Sequence, residues 1–150
     1  MTAKNPDRER VRAFLADPGA PLVFDTSPLL VALGASILHA EDGRITLRFE
    51  PSSIFLQGAN AVQGGAVSAM LDFAMAAAIM SKLDDAAGFA TASLTVSFLA
   101  PVRPGPLRAE GEVDRIGRRN GFARATLRAE SGDAILATAS SVLTLIVPGK

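Results

Sequence analysis

The chain has 150 residues, of which 49% are hydrophobic and 20% charged, and its 15 basic and 15 acidic side chains leave no net charge. That balance fits one folded, soluble domain and excludes both a disordered tail and a protein whose main task is binding nucleic acid. With no cysteine and one histidine, His39, the chain has no disulfide, no thiolate metal site, no cysteine nucleophile and no His-rich metal centre.

Asn5-Pro6 reads as a helix cap followed by proline at the first helical position, with Val11, Phe14 and Leu15 at helical spacing and Pro18-Gly19 as the stop. The expected element is a short amphipathic helix laid on the outside. Residues 1–28 are thus an N-terminal helix and linker, and residues 29–150 form the main domain. The opening residues are too charged for a signal peptide, and Asp72 breaks the longest apolar run, so a cytoplasmic protein that does not enter a membrane is expected.

Leu29 to Ala40 is a long apolar stretch, and Arg44 to Glu50 alternates cleanly, with Ile45, Leu47 and Phe49 on one face. Joined by Glu41-Asp42-Gly43, the two read as a β-hairpin. His39 falls near its end, where a surface or edge role is the expected one. After a loop from Pro51 to Gln63, a helix is expected from about Gly64 to Lys82. Four strand signals follow: one around Thr91–Phe98, one from Leu107 to Asp114, one from Ala123 to Glu130, and a last long one from Ile135 to Val147. Turns at Pro101–Pro106, Gly117–Gly121 and Ser131–Asp133 separate them. Consecutive strands make a largely antiparallel sheet, and its many small residues let it curl closely around the one long helix. The fold class is α+β.

Residues 57–82 carry the chemistry. A polar loop marked by Gly64-Gly65 opens the long helix, and helix starts expose backbone N–H groups suited to oxyanions. Asp72 sits within the apolar helix, where a carboxylate needs a partner or a task. Its neighbours three and four positions away are Ser68, Ala69, Met75 and Ala76, three of them small, so that face is open to close approach. The Gly64 N–H, with that of Gly65 as a second candidate, can hold a developing oxyanion. Asp72 then attacks a carbonyl or takes a proton from attacking water. Gln57 would orient that water or bond the carbonyl, and Thr91 would position the acid or the water. Gly64 and Asp72 lie about 12 Å apart along one helix, too far to act together on one carbonyl. The two must therefore come from different subunits of a dimer.

The element order and the pattern of Gln57, then Gln63-Gly64-Gly65, then Asp72 resemble the hotdog-fold thioesterases, in particular the PaaI-like phenylacetate-degradation branch. The resemblance spans roughly Leu29 to Val147. Gln57 stands at the family's amide position and Gln63 where the family has histidine, while Thr91 stands where it often carries Ser or Thr near the acid. It implies an acyl-CoA thioesterase with no cofactor or metal, assembled as a homodimer or a dimer of dimers. Asp72, Gly64, Gln57 and Thr91 become the catalytic candidates. Gln63, Gly65 and Asn60 fall on the substrate side, with Gln63 also suited to capping or bracing the loop. Arg115, Arg118 and Arg119, clustered at a hairpin, are candidates for the CoA phosphates, as is Arg103. The alternative is a non-catalytic acyl-binding protein, marked by the missing histidine. A hotdog dehydratase is disfavoured because Asp72 has no histidine near it.

Overall fold

A computed structural model describes residues 4–149. The first helix, α1, runs from Pro6 to Ala16, and the Asn5 side chain accepts from the N–H groups of Asp7 and Arg8. Its buried face is Val11 and Phe14, which join the core of the main domain.

Leu29 to Ala40 is not one strand. A two-residue strand, β1 (Leu22–Val23), is followed by a short helix, α2 (Pro28–Ala32), and only then by β2 (Ser36–Glu41). The local reason is the Ser27-Pro28 pair. Ser27 caps the helix by accepting from the Leu30 N–H, and proline is preset for the first helical turn. Gly34 ends the helix at φ 61°, and a side chain there would run into the Glu50 carbonyl. An apolar run without alternation does not separate helix from strand, and here the cap decided. The hairpin from β2 to β3 (Arg44–Phe49) forms as expected, with Ile45, Leu47 and Phe49 fully buried.

The long helix, α3, spans Gly64–Met80, and most of its surface is buried. Four strands follow: β4 (Gly88–Phe98), β5 (Leu107–Ile116), β6 (Asn120–Ala129) and β7 (Ile135–Ile146). All pairings are antiparallel, in the order β1-β2-β3-β5-β6-β7-β4. The sheet curves around α3. Small residues permit the close approach: Ala109, Ala123, Ala125, Ala137 and Ala139 face the core. At Gly111 a Cβ would lie 2.2 Å from the Ala74 carbonyl oxygen, so only glycine lets β5 lie on the helix backbone.

The outer face of β3, β5 and β6 carries paired charges. Arg44 and Arg124 share Glu112, Arg124 also reaches Asp114, and Arg48 bridges Glu50 and Glu130. The hydrogen bond from Arg44 holds the Glu112 carboxyl below its ordinary pKa. Among the described residues no helix is long and apolar enough to cross a membrane.

The sequence pattern of β4 predicts a buried face, and the chain by itself has none. None of its eleven residues is buried. One edge of β4 pairs with β7, and the other is the free edge of the sheet. Leu94, Phe98 and the following Leu99 are exposed there.

Candidate active site

The loop before α3 is held by its own polar groups. The Gln57 side chain accepts from the Ala59 N–H, and its backbone accepts from the Asn60 N–H. Asn60 takes a positive φ of 56°, a conformation asparagine tolerates, and both residues are exposed. The Gln57 amide is therefore folded onto its own turn.

Gln63 is the cap of α3. Its Oε1 accepts from the Gly65 N–H at 2.6 Å and the Ala66 N–H at 3.2 Å. A Cβ on Gly65 would lie 2.7 Å from that same oxygen, so glycine at 65 is what admits the cap. With the Gly65 N–H engaged, the Gly64 N–H remains without a partner among the described residues. It carries the positive end of the helix dipole. The Phe98 ring lies against Gly64, close enough that a Cβ there would meet it at 3.3 Å. This contact was hidden in the sequence, because Phe98 reads simply as the last alternating residue of its strand.

Asp72 lies half-buried about two turns further on, facing β4. Thr91 donates its hydroxyl proton to Asp72 Oδ1 at 3.0 Å. The start of α3 thus meets the end of β4, at Phe98, and the middle of α3 meets its first half, at Thr91. Helix and edge strand run in opposite senses. Elsewhere on α3, Met70, Leu71, Met75 and Met80 are core residues, and Phe73 meets Phe24 edge to face, with ring centroids 5.0 Å apart.

Arg115, Arg118 and Arg119 are exposed on and beside the β5–β6 hairpin. The neighbouring Gly121 packs against Ile79, near the C-terminal end of α3. One chain therefore does not bring these arginines to its own Gly64, which lies at the other end of the helix. Arg103, in the β4–β5 turn, makes no salt bridge among the described residues. His39 is exposed on β2 beside Glu41.

A long helix wrapped by a curved antiparallel sheet, with a glycine-marked helix start and an acid facing the edge strand, defines the hotdog class. The family model of the thioesterase superfamily matches residues 59–136, just over half of the chain, and the chain belongs to that superfamily. A thioesterase family protein from Silicibacter pomeroyi superposes with a TM-score of 0.79 at 26% identity, covering 94% of this chain and 98% of its own. A phenylacetic acid degradation-related protein from Ralstonia eutropha gives 0.76 at 26% identity, over 90% of this chain and 98% of its own. A point mutant of the phenylacetic acid degradation protein PaaI from Thermus thermophilus shares the fold, with a TM-score of 0.69 at 21% identity over 79% and 98% of the two chains. No curated protein matches this chain significantly.

Proposed function

We propose that this protein is an acyl-CoA thioesterase that hydrolyses a medium-chain or aromatic acyl-CoA to the free acid and CoA. The observation that carries the proposal is the Thr91–Asp72 hydrogen bond at the open edge of β4. A carboxylate within an apolar helix is held by one hydroxyl, its second oxygen left for a reaction, beside a strand with one edge unpaired.

The second half of the site comes from a twin. An antiparallel pairing of β4 with the same strand of a second copy, centred near Leu94, brings the Phe98 end of one strand alongside the Thr91 end of the other. Phe98 marks Gly64, and Thr91 marks Asp72. The helix start of one chain then faces the acid of the other, twice per dimer. The pairing also covers the exposed edge, which folded proteins seldom leave open over eleven residues. It brings the partner's β5–β6 hairpin toward the same site, where Arg115, Arg118 and Arg119 would meet the CoA phosphates.

At such a site the thioester oxygen sits on the Gly64 N–H, which stabilises the negative charge that forms as the carbonyl is attacked. The attacking oxygen is that of Asp72 or of a water that gives its proton to Asp72. The carbon–sulfur bond breaks and the CoA thiolate leaves and is protonated. Where water attacks, the free acid forms directly; where Asp72 attacks, an acyl–aspartate anhydride forms that water then hydrolyses to the acid and free Asp72. Thr91 keeps Asp72 oriented. Kinship with the phenylacetic acid degradation-related protein supports an aromatic or medium-chain acyl group.

The test is a panel of acyl-CoAs from acetyl to octanoyl and phenylacetyl, read by a thiol-trapping dye, with Asp72→Asn as the control. The substitution is expected to lower kcat by about a thousandfold. Turnover that survives it removes Asp72 from the mechanism. Gln63, in place of the family's histidine, supports one second reading. Tight acyl-CoA binding with no turnover in the native chain would make this a non-catalytic acyl-CoA-binding protein.

A further inference from the structure

Arg8 lies in α1, away from Asp72, and is only 7% exposed. Its Nη1 donates to the carbonyl oxygens of Asp84 and Asp85, both at 3.2 Å, in the loop between α3 and β4. Its Nε is buried with no partner. No carboxylate lies within ion-pair distance of it among the described residues. Of the neighbouring acids, Asp85 pairs with Arg12 and Glu9 with Lys4, while Asp84 meets Arg8 through its carbonyl oxygen. Arg8 is the buried cation of this group and makes no ion pair among the described residues. Burial, and then repulsion from Arg12, lower the Arg8 pKa from its ordinary value. A buried charge without a counter-ion is costly, and natural structures seldom keep one without a use.

Arg8 borders a cleft of about 790 Å³ between α1 and the α3–β4 loop, a size usual for small-molecule sites. Its lining is mixed: Ala13, Ala16, Ala87 and Phe89 are apolar, and Lys4, Glu9, Arg12 and Asp85 carry charge beside Arg8. We propose that this cleft binds a monocarboxylate with an apolar body, its carboxylate paired with Arg8 and its tail against the alanines and Phe89. A carboxylate is favoured over a phosphate because Glu9 and Asp85 also line the cleft and repel a dianion more than a single negative charge, while the alanines and Phe89 offer an apolar tail a surface. The inference does not depend on the chemistry assigned to Asp72. If that assignment holds, the reaction product has the chemistry of this ligand.

Amide NMR titration of the full-length protein with octanoate, octanol and CoA tests it, with turnover measured on the same samples. Saturable shifts are expected in residues 5–16 and 84–89, with octanoate binding about tenfold or more tighter than octanol, the worth of one charged pair. Arg8→Gln should weaken octanoate by about the same factor. Because that change removes two loop contacts, Ala13→Phe, at an exposed position, supplies a second variant that fills the cleft and leaves Arg8 in place; it should weaken octanoate as well. Asp72→Asn should leave this binding intact. The proposal is overturned if octanol binds equally, if neither cleft variant weakens octanoate, if Asp72→Asn abolishes the binding, or if no shifts saturate. Displacement of octanoate by CoA would hand the site to a phosphate and overturn the carboxylate assignment.

Discussion

Two side chains fix the local geometry, one at the acid and one at the helix start. Thr91 holds one oxygen of Asp72 through a single hydrogen bond. Thr91→Val keeps the shape of the strand and deletes only that bond. A bond to a charged group is worth about 1.5–3 kcal/mol, so kcat should fall roughly ten- to a hundredfold with little change in Tm. An unchanged kcat would make the contact merely structural. Gln63 is the second. As the cap of α3 it takes up the Gly65 N–H. Gly65→Ala would press a methyl group into the Gln63 oxygen and lose the cap. The expected cost is about 1–2 kcal/mol, read as a Tm lowered by several degrees, and an unaltered Tm would contradict it.

At the scale of elements, the edge strand β4 matters most. Its alternation of Ala92, Leu94, Val96 and Phe98 with Thr91, Ser93, Thr95 and Ser97 announces a face that gets buried, and no residue of β4 is buried in a single chain. Leu94→Glu should leave the monomer folded, because Leu94 is exposed, while splitting the proposed dimer and abolishing turnover. Sedimentation of the variant beside the native protein reads this directly, and a fully active dimer would count against the β4 interface. The same strand shows how far the sequence reaches. Alternation located β3, β5 and β6, and the small apolar residues located α3, because period and propensity are local properties. The split of Leu29–Ala40 into α2 and β2 turned on one serine cap and one glycine pressed against the Glu50 carbonyl, a contact between distant parts of the chain. The loop and helix carrying Gln57, Gly64 and Asp72 were legible from spacing. The meeting of Phe98 with Gly64, and the engagement of the Gly65 N–H by Gln63, belong to tertiary packing and have no local signal.

For the whole molecule, the distribution of surface charge points to the same edge. The outer face of β3, β5 and β6 is tiled with paired arginines and acids, whose partners are already met within the chain. Exposed apolar side chains include Leu94, Phe98 and Leu99 along and beside β4, with others at Val23, Val31 and Ile54. The proposed dimer uses the free edge of β4, whose Thr91 bonds Asp72. The central claim is that each reaction centre is shared, with a helix start from one subunit and an aspartate from the other. Two variants separate the halves. Asp72→Asn removes the acid. Gly64→Pro removes the unengaged N–H at this helix start, at a position where α1 and α2 carry Pro6 and Pro28, so the helix should persist, with the Phe98 ring shifting slightly to admit the new Cβ. Each variant alone should be nearly inactive. Co-expressed at equal levels, they should regain about a quarter of native turnover, since half of randomly formed dimers are mixed and each mixed dimer restores one of two shared sites. A mixture no more active than its parents would place both groups in one chain and contradict the account.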